Sequence, residues 1–169
     1  MTIAVYPGAF DPITNGHLDI AIRAANLFEK VIIGVYDTPA KNILFTTEER
    51  VDLAKQAVAD LPNIKAESYS GLTVDFARQK GAQTIVRGLR ISADFEREFE
   101  MALMNKKLSP DCELVCLMTN QKYAFLSSSL LKEVVSLGGY VDDLVPKPVA
   151  AALREKIHER YEIIQGGIH

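Results

Sequence analysis

No apolar run in this chain approaches the roughly 20 residues that a membrane-spanning helix needs, so nothing predicts a membrane protein. Basic charge is not in excess. The formal net charge is -3, which argues against a nucleic-acid binder working through bulk electrostatics. Cysteine is scarce, with only Cys112 and Cys116. On one strand these would lie about 13 Å apart, at about 3.3 Å per residue, too far for a mutual disulfide. Their spacing is not the Cys-x-x-Cys of redox or zinc sites. They are expected to be buried thiols in a reducing cytoplasm. There is no linker, low-complexity tract or internal repeat. The N-terminus enters a strand-like run without the basic segment and apolar core of a signal peptide. The expectation is one domain over residues 1–169, with a frayed tail from 165 to 169.

What is present alternates. Apolar β-type runs at Ile3–Tyr6, Val31–Tyr36, Ile64–Tyr69, Gln83–Val86 and Glu113–Met118 are separated by stretches of helical spacing. The run at Val31 is continuously apolar, as in a strand covered on both faces. Thr46 and Glu49 stand at capping-box spacing ahead of the apolar positions Val51, Leu53, Ala54 and Ala57. Ser92 reads as the cap of a helix through Leu108, and the last helix as Val149 to Tyr161. This alternation predicts an α/β fold: a single Rossmann-like domain with a five-stranded parallel sheet, helices on both faces and C-terminal helices.

The turn after the first strand, Tyr6-Pro7-Gly8-Ala9-Phe10-Asp11-Pro12-Ile13-Thr14-Asn15-Gly16-His17, organises the rest. Gly8 would let backbone approach a ligand, and Gly16 clears the ground before His17. His17 falls in the first turn of a helix, where free N–H groups and the dipole attract phosphate. Other candidates follow later strands: Lys41; the stretch Ser70 to Thr73; Arg87 and Arg90; and Tyr123 to Ser129. In a parallel sheet these loops share one edge, and cations with helix N-termini around one crevice suit a polyphosphate. Each has a plainer reading. Lys41 alone would be a solvated charge, Ser127-Ser128-Ser129 an N-cap, and Glu96, Glu98 and Glu100 a solvated helix face. Two arginines flanking Gly88 straight after a buried strand are harder to explain as decoration.

Thr14-Asn15-Gly16-His17 matches the Thr/His-any-Gly-His motif of the nucleotidyltransferase superfamily. Pro7 to Pro12, Arg87-Gly88-Leu89-Arg90 with Asp94-Phe95-Glu96 and Glu98, and Phe125 to Val134 resemble, in order, the signatures of the bacterial phosphopantetheine adenylyltransferase family. The resemblance spans nearly the whole chain. It implies the strand order 3-2-1-4-5. It also implies reversible adenylyl transfer from ATP to 4′-phosphopantetheine, giving 3′-dephospho-coenzyme A and pyrophosphate, in the penultimate step of coenzyme A synthesis. Mg²⁺ is implied, carried on the ATP phosphates rather than in a protein cage. A homohexamer is implied as well, with coenzyme A as a candidate feedback ligand.

By the same resemblance the catalytic residues are His17, Lys41 and Arg90, with His17 stabilising the transition state. The ATP site comprises Ala9, Phe10, His17, Gly88, Leu89, Arg90, Glu98, Tyr123, Ala124, Phe125, Leu126, Ser127, Ser128 and Ser129. The acceptor site comprises Ala9, Lys41, Thr73 and Arg87. The chemistry agrees with the residues: an anionic phosphate nucleophile needs no general base, only alignment and charge neutralisation. Ala9 departs from the family's usual Ser or Thr, and Arg97 from its frequent Tyr. Alternatives are a nicotinamide or nicotinate mononucleotide adenylyltransferase, a non-catalytic ATP sensor, and a scaffold protein. Pyrophosphorolysis of dephospho-coenzyme A but not NAD separates the first, and turnover separates the others. An apolar excess on the Ser92–Leu108 helix (Phe95, Phe99, Leu103, Met101, Met104, Leu108) hints at subunit contact.

Overall fold

The computed structural model describes residues 2–39 and 43–166. Along the chain run β1 (Ile3–Gly8), α1 (Asn15–Ala25), β2 (Lys30–Tyr36), α2 (Thr47–Ala57), β3 (Ile64–Tyr69) and α3 (Thr73–Gln79). Then come β4 (Thr84–Leu89), α4 (Ser92–Leu108), β5 (Glu113–Met118), a short turn of helix at Gln121–Tyr123, α5 (Ser128–Ser136) and α6 (Lys147–Gly166). The five strands form one parallel sheet in the order β3-β2-β1-β4-β5. Strands are added to one side of β1 and then to the other, so the crevice between β1 and β4 is where an open α/β sheet offers a ligand site.

Strand alternation sorts the core. Ala4 and Tyr6 pair in register with Val31 and Ile33, and their side chains join the larger core under α1, α2, α5 and α6. Val5, Ile32 and Ile85 point the other way, onto Val74, Phe76 and Ala77 of α3. On β2, a Cβ at Gly34 would sit 2.6 Å from Phe76 Cε1, so the glycine is what lets the Phe76 ring, stacked on Tyr69, lie against the strand. Among the described residues no helix is long and apolar enough to cross a membrane.

Helix starts follow local chemistry. The Thr46–Glu49 box forms: the Thr46 N–H donates to Glu49 Oε2 at 2.7 Å, and the Glu49 N–H to Thr46 Oγ1 at 3.3 Å. Other boundaries shift from expectation. Ser92 is the first residue of α4 rather than its cap, and the Ile91 N-cap makes no side-chain bond. The last helix begins two residues early, at Lys147, because Pro148 is tolerated in a first turn. It runs on to Gly166, and residues 167–169 of the expected tail lie outside the described residues. β4 extends to Leu89, since its pairing with β5 continues through Arg87↔Cys116 and Leu89↔Met118. Cys112 is buried as expected, but Cys116 is exposed, on a face of β5 that opens to a groove beside α4. Apolar residues of α4 are also uncovered: Phe95, Phe99 and Leu103, which line a groove with Leu114 and Cys116 of β5, are more than half exposed, and Met101 and Met104 about half.

Candidate active site

A cleft of about 280 Å³ opens at the carboxyl ends of β1 and β4. Its floor is the turn from Tyr6 to Asp11, one wall is His17 on α1, and the other is Arg87, Gly88 and Arg90. The rim is Tyr123 and the segment Leu126 to Ser129.

His17 is held by a capping box in which histidine plays the usual acidic role. The Thr14 N–H donates to His17 Nδ1 at 3.1 Å, while the His17 N–H donates back to Thr14 Oγ1 at 3.3 Å. A backbone N–H can only donate, so Nδ1 carries no proton and the neutral ring bears its proton on Nε2. Burial, then the positive charges of Arg90 and Arg87, lower the His17 pKa to about 4. At neutral pH the side chain is therefore a neutral, oriented donor. Its ring packs edge-on against Phe10, with centroids 5.1 Å apart.

The glycines of the turn serve packing more than ligand access. A Cβ on Gly8 would come 3.0 Å from the Phe10 ring, and one on Gly16 would come 3.3 Å from Tyr123 Cβ. Gly8 thus makes room for Phe10, and Gly16 for the short helical turn that bears Tyr123.

Arg87 lies within β4 rather than after it. Its Nε and Nη2 donate to Glu98 Oε1 at 2.9 and 2.6 Å, and Nη1 donates to the Pro7 carbonyl at 2.6 Å. Glu98 is thereby buried on α4 and does not belong to a solvated face, whereas Glu96 and Glu100 are exposed. Arg90 grips Asp94 through Nε and Nη2 at 3.0 and 3.1 Å and donates through Nη1 to the Leu126 carbonyl at 3.1 Å. Burial raises the Asp94 pKa, but the bonds from Arg90 outweigh it and hold the carboxyl below its ordinary value.

The serines divide the work of the rim. Ser127 caps α5, accepting from the Leu130 N–H at 3.1 Å, and Ser128 Oγ donates to the Pro12 carbonyl at 2.9 Å. The exposed Ser129 lines the cleft, and its hydroxyl makes no hydrogen bond to the described residues.

Ala9, Phe10, His17, Arg87, Gly88, Arg90, Glu98, Tyr123, Leu126 and Ser127 to Ser129 all line this one cleft. Leu89, Ala124 and Phe125 do not: Leu89 is buried in β4, and Phe125 is largely exposed. Thr73 opens α3, with its hydroxyl 3.0 Å from that of Tyr69, and does not line the cleft. Lys41 lies outside the described residues, though Pro39 and Ile43 beside it line the cleft.

Sequence reasoning missed Asp11 and Lys132. The buried Asp11 carboxylate accepts from the Leu44 and Phe45 N–H groups, each at 2.9 Å, and from Lys132 Nζ at 2.6 Å. It joins the turn after β1 to the segment before α2 and to α5. An acidic residue inside a Pro-Gly-rich turn was the signal available. Among the described residues no group of three or more His, Cys, Asp and Glu could hold a metal ion. The cleft carboxylates Asp11, Asp94 and Glu98 each face a cation instead.

The sequence pattern of the cytidylyltransferase-like family matches residues 5–134. A protein of Heliobacterium modesticaldum named phosphopantetheine adenylyltransferase is 56% identical over 92% of this chain and 93% of its own. Proteins of the same name from Roseiflexus sp. (strain RS-1) and Desulforudis audaxviator are each 52% identical, over 95% and 96% of this chain and 100% and 99% of their own. With its parallel sheet in the order β3-β2-β1-β4-β5 and its Thr-Asn-Gly-His helix start, this chain belongs to the cytidylyltransferase-like family and, within it, to the phosphopantetheine adenylyltransferases.

Proposed function

We propose that the protein transfers the adenylyl group of ATP to 4′-phosphopantetheine, forming 3′-dephospho-coenzyme A and releasing pyrophosphate, reversibly. The observation that supports this best is the single cleft that gathers the His17 turn, both arginines of β4 and the start of α5. In the reaction an acceptor phosphate oxygen forms a bond to the α-phosphorus, and the bond from that phosphorus to the bridging oxygen of the β-phosphate breaks. The nucleophile is already anionic, so no side chain removes a proton. What the chain supplies is alignment and charge.

In this reading His17 Nε2–H stabilises charge developing on the transferred phosphoryl group. Being neutral, it donates without adding charge to a cleft that already holds Arg87 and Arg90. Arg90, tied to the Leu126 carbonyl, serves the nucleotide side with Ser129. Arg87 and Lys41 serve the acceptor side. Magnesium enters on the ATP phosphates, because the cleft carboxylates are committed to cations and offer no cage. The uncovered apolar side of α4 supports assembly, and a homohexamer is the assembly proposed. Free cysteines favour the reducing cytoplasm as its place. Coenzyme A, sharing the phosphopantetheine arm, is the proposed feedback ligand at the acceptor side.

A coupled pyrophosphate-release assay tests the reaction. Pyrophosphate should appear with ATP, Mg²⁺ and phosphopantetheine, mole for mole with dephospho-coenzyme A. Release with nicotinamide mononucleotide and none with phosphopantetheine would transfer the chain to the other adenylyltransferase class.

A further inference from the structure

Arg50, on the first turns of α2, is fully buried, with 0% exposure. It makes no ion pair among the described residues. Instead its guanidinium is filled by neutral acceptors from three stretches of chain. Nε donates to the Phe45 carbonyl at 3.2 Å, and Nη1 donates to the Ala9 and Tyr36 carbonyls at 2.7 and 2.8 Å. Nη2 donates to the Asp37 carbonyl at 3.3 Å and to Thr47 Oγ1 at 2.9 Å. A buried cation with so complete a set of partners holds its neighbours firmly, and only the planar fork of arginine fits such a set.

Two facts connect this core residue to the cleft it does not line. The bond to Ala9 pulls that carbonyl inward. In a trans peptide the C=O and the next N–H point in opposite directions, so the Phe10 N–H is turned away from Arg50, and Ala9 and Phe10 both line the cleft. That N–H makes no hydrogen bond to the described residues. Phe10 itself has φ of +47°, a left-handed conformation that a bulky residue adopts only when its surroundings impose it. The ring is clamped by Tyr6 and His17, with centroids at 5.3 and 5.1 Å, and the backbone by Arg50 through Ala9.

We propose that Arg50 is a positioning residue for the transfer: from within the core it aims the Phe10 N–H at the phosphates and holds Phe10 in the conformation that orients the His17 ring. Its buried positive charge also lies behind the turn, reinforcing the anion-attracting side of that peptide. This rests on the adenylyl-transfer reading above.

The test uses the full chain and Arg50→Lys, which keeps the charge and loses the fork. Well below the variant's melting temperature, kcat should fall on the order of 10²-fold, the scale of a 1 Å misplacement, with KM for both substrates moved far less. A folded Arg50→Lys protein with wild-type kcat and only a lowered melting temperature would overturn the proposal, leaving Arg50 a purely structural residue. Should Arg50→Lys fail to fold, wild-type protein labelled with [¹⁵N]phenylalanine decides. Inorganic pyrophosphate should shift the Phe10 amide more than the other phenylalanine amides, and an unmoved Phe10 amide overturns the proposal. That titration needs no turnover. A wild type that makes no dephospho-coenzyme A would therefore refute the functional reading alone.

Discussion

The two walls of the cleft are held in different ways. On the α1 wall, His17, with Phe10 of the adjoining floor, is fixed by backbone groups and ring contacts: the Thr14 N–H on Nδ1, and Arg50 on the Ala9 carbonyl. On the β4 wall, Arg87 and Arg90 are fixed by carboxylates, Glu98 and Asp94. A neutral donor needs a rigid seat, because its strength lies in direction. A cation attracts phosphate from many directions, and Arg87 and Arg90 are each balanced by a carboxylate before the phosphate arrives. The first wall therefore reads as the one that aims, and the second as the one that attracts.

The largest expected break in this contrast is His17→Ala. It should lower kcat on the order of 10²–10³-fold, the usual loss for one aimed donor, while the melting temperature falls only slightly. Calorimetry beside steady-state kinetics checks both, and normal turnover would remove His17 from the mechanism.

On the other wall the effects should be substrate-selective and smaller. Arg87→Ala should raise KM for phosphopantetheine and Arg90→Ala should raise KM for ATP, each about tenfold or more, as one charge-assisted hydrogen bond of about 1.5–3 kcal/mol allows. Arg87→Ala should also destabilise more. It strands the Glu98 side chain at 11% exposure, against 22% for Asp94 beside Arg90. Adding Glu98→Gln should recover part of that stability. Equal effects of both arginines on both substrates would end the division between acceptor and nucleotide sides.

The pH dependence sharpens the contrast further. The His17 pKa is about 4 in the folded protein against 6.5 ordinarily. Between these values the unfolded chain binds a proton that the folded chain refuses, so stability drops as pH falls from about 6.5 to about 4 and is intact above. The melting temperature of the wild type should fall more steeply across that window than that of His17→Ala, and parallel curves would contradict the neutral ring of the folded state. Asp94, also held below its ordinary value, contributes stability that disappears only as pH falls through its own depressed pKa.

Ala9→Thr should have the smallest effect. A hydroxyl restored beside Gly8 should tighten phosphopantetheine by roughly 1.5 kcal/mol and leave pantetheine unchanged. Calorimetric titration with both ligands measures this, and equal changes for both would separate Ala9 from the acceptor phosphate.

Much of the aiming wall was legible because its contacts are local. Thr14 and His17 are three residues apart, and a helix start after a first strand dictates their geometry. The strand-helix alternation and the Thr46–Glu49 box were legible for the same reason. What escaped is long-range. Arg50 meets Ala9 from 41 residues away, and Lys132 meets Asp11 from 121. Glu98 resembled its neighbours Glu96 and Glu100, and only the fold shows that it alone turns toward Arg87. Arg50 did leave a trace: it lies three and four residues before Leu53 and Ala54, a charge on the buried face of α2.

The most direct test runs the reaction backward. Purified protein is given pyrophosphate and Mg²⁺ with either dephospho-coenzyme A or NAD, and ATP is measured by luminescence. ATP should form from dephospho-coenzyme A alone. Formation from NAD alone, or from neither with correctly folded protein, would contradict the assignment of this cleft to phosphopantetheine.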